Sequence, residues 1–199
     1  IAVTTRGATG IPSEEVIAAA QAEDSDLIVV GTRGKTGLAH VLLGSTAERV
    51  IRGAPCPVLT VRMEPAVIKE EEGALSKPVR LERILVPVDF SNCSLDALGY
   101  AVVVAQQAKA SLMLLHVLEP VSYGLDFTLG QSKARRLEVE TWTKRLEELV
   151  SSHQHPTMQV ESQLRGGFPA DSILDSAQTL PCDLIVMGTH GRRGISHTI

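Results

Sequence analysis

A chain of 199 residues has room for one large or two small domains. Apolar residues make up 44% and aromatics only 3%, so the core must be aliphatic, which suits parallel sheets covered by helices on both faces. The net charge of −4 argues against nucleic acid or an anionic membrane as the main partner, and no apolar run approaches the ~20 residues of a membrane span.

In chain order, residues 1–6 read as a strand, and "IPSEEVIAAAQAED" at 11–24 as a helix with Pro12 near its start and Glu14 and Glu15 in its first turn. "DLIVVG" is a short aliphatic run closed by glycine, the pattern of a buried strand. A glycine-rich stretch follows, then the helix "STAERVIRGA" and the strand "CPVLTVR" at 56–62. Residues 63–80, with an acidic run and two prolines, read as a linker.

The strand "RILVPVDFS" at 83–91 comes next, then a helix beginning "SLDALGYAVVV", capped near Ser91 or Ser94. The strand "SLMLLHVLEP" at 111–120 leads to a long amphipathic helix from Gly130, with Leu137, Trp142, Leu146 and Leu149 roughly on one face. Residues 157–164 are a third strand, 169–179 a helix and 183–188 a fourth strand. Such alternation predicts a parallel, doubly wound α/β sheet.

The chain also repeats itself. "DLIVVGTRGKTGLAH" at 26–40 returns as "DLIVMGTHGRRGISH" at 183–197, and the offset of 157 carries Gly10 onto Gly167 and Pro12 onto Pro169 without gaps. One copy runs on past residue 42 into Gly44-Ser45; the other stops inside the motif. The chain therefore reads as a fragment of a tandem protein. Residues 1–62 are the C-terminal part of a first domain, 63–80 a linker, and 81–199 a second domain lacking its last helix and strand. Residues 1–62 pairing with 80–156 as a permuted domain is a further arrangement that this organisation allows.

Cys56, Cys93 and Cys182 are odd in number, widely spaced and free of any CxxC, which implies a reducing compartment and buried thiols. His153 and His155 have no Cys or carboxylate cluster beside them and read as a solvated loop rather than a metal site.

"GTRGKTGLAHVLLGS", 31–45, invites two readings. A Walker A loop would need its first glycine at residue 29, which is Val29 inside the strand, and the Lys-Thr pair becomes Arg192-Arg193 in the repeat. The other spacing is Gly31-x2-Gly34-x9-Gly44-Ser45. There Gly31 ends a strand without a Cβ in the way of a ligand, Gly34 permits a turn with inward N–H groups, and Gly44, Ser45 and Thr46 open a helix whose unsatisfied N–H groups favour phosphate oxygens. Ser45 serving only as helix cap is the alternative.

On this motif, together with "RILVPVDFS", "LLHV", "DLIVMGTHGRRG" and "LLGSTAERVIRGAPCPVLTVR", the chain resembles the universal stress protein family, whose ATP-binding members carry G-x2-G-x9-G-[ST]. The resemblance covers nearly everything but the linker. It implies a Rossmann-like fold of the adenine nucleotide alpha hydrolase kind, a doubly wound parallel five-stranded sheet of order 3-2-1-4-5. It implies that Asp89 meets the adenosine part of the ligand, with Pro87 and Val88 lining its pocket and Val117 at the base. Val30, Gly31, Arg33, Gly34, Gly44, Ser45 and Thr46 belong to the phosphate side, and Met187, Gly188, His190 and Gly191 are their counterparts in the repeat. For Asp89 a helix-capping role is the competing reading, and His116 reads as a strand-end histidine rather than a catalyst.

No nucleophile, base and orienting group stand together in the sequence, so no catalytic or metal residue is assigned. The resemblance implies an ATP-binding (or AMP- or ADP-binding) module of the stress response, cytoplasmic, with magnesium a candidate companion of the nucleotide. It also implies a homodimer or intramolecular domain pairing through strand 56–62, with no nucleic-acid or membrane partner. A dimerising stress protein without nucleotide and a weak ATP hydrolase are the alternatives.

Overall fold

The computed structural model describes residues 2–32, 44–61, 80–120, 129–156 and 158–189. The chain divides into two compact units, Ile1–Leu75 and Ser76–Ile199. Apart from Arg80, the expected linker lies outside the described residues.

The first unit contains helix α1 (Pro12–Ala22), strand β1 (Ile28–Gly31), helix α2 (Ser45–Gly53) and strand β2 (Val58–Val61). Pro12 opens α1, where its missing N–H costs nothing, and Glu14 and Glu15 sit in the first turn as the helix dipole favours. β1 and β2 pair in parallel, Ile28 opposite Val58 and Gly31 opposite Val61. Ala20, Ile28 and Val50 form a small core with Ala54, Cys56 and Val58 packed against it.

Residues 2–9 form no strand, which corrects the reading of 1–6. The repeat shows why. The matching segment of the second unit, 158–163, lies beside β4 from Val160 onward, and the first unit has no such neighbour among its described residues. Without a partner for its amides and carbonyls, an extended segment gains no ladder.

The second unit runs β3 (Arg83–Pro87), α3 (Asn92–Ala108), β4 (Ser111–Leu118), α4 (Leu129–His153), β5 (Val160–Gly166), α5 (Pro169–Thr179) and β6 (Leu184–Ile185). The strands are all parallel, in the order β5-β4-β3-β6. Counted within one repeat this is 3-2-1-4, and the β1-β2 pair corresponds to 4-5. The second unit thus follows the first four places of the expected order, and the β1-β2 pair is compatible with its last two. A single five-stranded sheet is not seen among the described residues. The places beside β3 and β4 are taken by β6 and β5, so the permuted pairing is not adopted.

The central strands β3 and β4 are buried on both faces, as their unbroken aliphatic runs require. Ile84, Val86, Leu112 and Leu114 pack with Leu98, Ala101 and Ala105 of α3 and Leu146 of α4. The alternate residues Leu85, Met113 and Leu115 pack under Ile173 and Ala177 of α5. The cap of α3 is Ser91, whose hydroxyl accepts the Ser94 N–H at 3.3 Å.

Several expectations are corrected by this packing. Leu137 is 56% exposed while Leu146 is buried, because nine residues of helix turn through about two and a half turns and put the two on opposite sides. The third strand begins at Val160 rather than 157, after His155 and Met158 form an isolated antiparallel bridge. His153 sits on the last turn of α4, its Nδ1 2.8 Å from the Leu149 carbonyl, instead of in a loop. The thiols are not all buried: Cys93 is exposed in the first turn of α3, and Cys56 and Cys182 are half-buried. Partial burial pushes the Cys182 thiol up from its usual range.

Asp183 fastens the start of β6 to β3. Its Oδ2 accepts the backbone N–H groups of Glu82 at 2.8 Å and Arg83 at 2.9 Å, and these bonds hold its carboxyl below the ordinary value of 3.8. A depressed folded-state pKa adds stability that is present above the unfolded value and is lost as pH falls through the folded one. Replacing Asp183 by Asn is therefore expected to lower the urea midpoint at pH 6, with the gap to the parent closing as the pH drops below about 3.8. An equal gap at pH 6 and pH 2.5 would contradict this.

Candidate functional site

The sequence-marked residues fall into two groups, one in each unit. In the first unit they gather where β1 ends and α2 begins. Val30 is half-buried opposite Thr60 of β2, and Gly31 closes the strand. The Gly44 N–H donates to the Thr32 carbonyl at 3.2 Å, so the two ends of the glycine stretch meet. Arg33 and Gly34 lie outside the described residues.

Gly44, not Ser45, is the N-cap of α2, and no side chain caps this helix. The alternative of Ser45 as a pure cap is thereby removed. Ser45 and Thr46 form the first turn, whose amides point out along the helix axis with the positive end of the dipole behind them. Such a helix start, pinned to a strand exit, accepts an anion through main-chain N–H groups.

The second group surrounds the point where strand order reverses. β3 is flanked by β4 on one side and β6 on the other, which makes the carboxyl ends of β3 and β6 the topological switch point, the place where open α/β sheets form a ligand crevice. Pro87 ends β3 opposite Leu115. Asp89 follows on one side of the crevice; Met187, 54% exposed, and Gly188 follow β6 on the other. Val117, near the end of β4, is half-buried on the α5 face of the sheet. His190 and Gly191 lie outside the described residues.

Val88 is 2% exposed and belongs to the core, and its N–H donates to the Leu115 carbonyl at 2.8 Å. What it gives the crevice is the position of its neighbour. The Asp89 carboxylate accepts both the N–H of Ser91 at 3.0 Å and its hydroxyl at 2.6 Å. It thereby organises the turn into α3 while Ser91 does the capping.

Gly188 has a structural reason of its own. A Cβ built there would stand 2.7 Å from the carbonyl oxygen of Cys93. Its repeat partner Gly31 has nothing within 4 Å of the same position.

Nothing in the sequence signals that His116 and Trp142 meet each other and Phe90 beside the end of β3. His116 is buried, its Nδ1 2.6 Å from the Val88 carbonyl. Its ring lies 4.6 Å from that of Trp142 and 5.3 Å from that of Phe90, and the Arg145 guanidinium stands 4.5 Å above Phe90. Phe90 itself has φ +62°, a region that bulky residues avoid. In a chain with one tryptophan and three phenylalanines, two of them meeting one histidine is a contact that only the fold reveals. No metal-ligating cluster of three or more residues exists among the described residues.

The universal stress protein family model matches residues 1–62 and 80–199. Universal stress protein MJ0531 of Methanocaldococcus jannaschii is 50% identical over 62 residues, 31% of this chain and 36% of that protein. Universal stress protein Mb2028c of Mycobacterium bovis is 27% identical over 180 residues, 87% of this chain and 55% of its own length. This chain therefore spans at most about half of these relatives. Among solved structures, a universal stress protein from Archaeoglobus fulgidus superposes with a TM-score of 0.59 at 24% identity, covering 87% of this chain and 54% of that one. A functionally unknown Pseudomonas aeruginosa protein gives 0.63 at 20% identity, covering 95% and 60%. The sheet order, the strand-exit glycines and the family match over both units agree, and the chain belongs to the universal stress protein family.

Proposed function

We propose that the chain binds an adenine nucleotide, ATP or its AMP and ADP relatives, as a binding or signalling module of the stress response. The observation that carries the reading is the Gly44–Thr32 hydrogen bond, which sets the uncapped start of α2 against the exit of β1. Amides there meet the phosphates, with Gly31, Arg33, Gly34, Gly44, Ser45 and Thr46 on that side. In the second unit Pro87, Asp89 and Val117, with buried Val88 behind them, form the adenosine side, and Met187, Gly188, His190 and Gly191, the counterparts of the first unit's glycine stretch, form the phosphate side. Magnesium would accompany the phosphates rather than be held by a protein cluster. Nucleotide bound there changes the surface presented to partners in the cytoplasm.

Strand β2 supports the proposed pairing between copies or domains. It bonds to β1 along one side only among the described residues, and Val61 at its end is 43% exposed. A parallel edge of this kind recruits another strand.

Titration with a fluorescent ATP analogue tests the reading. Gly44 has φ −59° and ψ 140°, which any residue adopts, and a Cβ there would sit 3.5 Å from the Thr32 carbonyl. Gly44→Val is therefore expected to leave the circular dichroism spectrum unchanged. Its added methyls crowd the anion's approach to the α2 amides, so analogue affinity should fall by about tenfold or more. Unaltered affinity in the variant, or none in the parent chain, removes the proposal.

A further inference from the structure

We propose that His116 is a positioning residue that, together with Phe90 and Trp142, locks the turn after β3 and so aims the Asp89 carboxylate. The lock stands on geometry alone; its service to a ligand rests on the nucleotide reading above.

Val88 is tethered through both of its main-chain polar groups. Its N–H donates to the Leu115 carbonyl at 2.8 Å, and its carbonyl receives the His116 ring at 2.6 Å. A carbonyl can only accept, so Nδ1 carries the proton in this contact. With Val88 fixed, the chain must turn at once to reach the start of α3, and it does so by putting Phe90 at φ +62°. A phenylalanine persists in that conformation only where surrounding contacts outweigh its strain. Those contacts are the rings of His116 at 5.3 Å and Trp142 at 5.2 Å, and the Arg145 guanidinium at 4.5 Å.

Asp89 lies between these two fixed residues. Its Oδ1 takes both Ser91 donors, and Ser91 in turn caps α3. Strand end, carboxylate and helix start thus form one hydrogen-bonded path, and His116 is where the core of the sheet holds it. At 5% exposure His116 is shut off from a ligand in the crevice, so any effect it has there passes through Val88 and Asp89.

The experiment uses the full chain and three variants. His116→Leu keeps bulk and removes the donor. His116→Asn restores an N–H near the position of Nδ1. Phe90→Asn tolerates the left-handed backbone but removes the ring. Amide exchange at Ser91, measured without nucleotide, reads the lock directly, and the single tryptophan, Trp142, reports the ring cluster by its emission. Exchange at Ser91 should accelerate by about tenfold in His116→Leu and Phe90→Asn, with restoration in His116→Asn. Analogue affinity should follow the same order. Parent-like exchange in His116→Leu overturns the lock, as does a His116→Asn variant no better than His116→Leu, which would mean the ring only fills space. If His116→Leu does not fold, Phe90→Asn decides by the same exchange rate. If the parent chain binds no analogue while exchange responds as stated, the nucleotide reading falls and the lock stands.

Discussion

Replacing Leu114 by alanine is expected to destabilise the second unit by about 2–5 kcal/mol, the range for removing a fully buried leucine from a core that cannot collapse. Leu114 is 0% exposed, at the middle of β4, opposite Val86 of β3 and Ser162 of β5. Its side chain packs in the cluster closed by α3 and α4. Strands on both sides and helices above leave no route for the neighbours to move into the void. Urea denaturation followed by Trp142 emission measures this in the right place, since the only tryptophan belongs to α4 of the same unit. The first unit has a separate core of Ala20, Ile28 and Val50 and shares no core residue with the second. Leu114→Ala should therefore leave amide protection in β1 and α2 unchanged, as expected for sites without common partners. A loss below about 1 kcal/mol, or an equal loss of protection in both units, would show that these cores are not built as described.

Much of this fold was legible from the sequence because aliphatic runs bounded by glycine and proline leave few alternatives. The helix predicted over 169–179 is α5 residue for residue, and the strands starting at Arg83 and Ser111 begin where expected. Misreadings arose where a partner in space decides the outcome. Residues 1–6 carry a strand-like pattern that an isolated segment does not realise. Leu137 and Leu146 share an approximate apolar spacing along the sequence, whereas helix geometry sets them on opposite sides. On the candidate site, the spacing of Gly31, Gly44 and Ser45 pointed to the strand exit and helix start that the structure brings together. The Phe90–His116–Trp142 cluster was invisible, since its members lie on a turn, a strand and a helix with no periodic relation.

The two strand-exit glycines make a paired test, because a Cβ meets backbone atoms at Gly188 and no described atom within 4 Å at Gly31. Gly188→Ala is expected to cost about 1–3 kcal/mol, the usual penalty for overpacking. Its new methyl would meet the Cys93 carbonyl oxygen at 2.7 Å and carbonyl carbon at 2.8 Å. Both atoms are backbone in the first turn of α3, a helix pinned by the Ser91 cap, so neither can swing aside as a flexible side chain would. Gly31→Ala meets nothing within 4 Å and sits in a strand, where losing a glycine restrains the unfolded chain. It should be neutral, or stabilising by up to about 1 kcal/mol. Paired thermal melts with analogue titrations then separate packing from ligand approach. If Gly31→Ala keeps its stability but weakens the analogue, the glycine of the first copy is there for the anion. Equal destabilisation by both substitutions would instead show that close contact with Cys93 is not what requires Gly188.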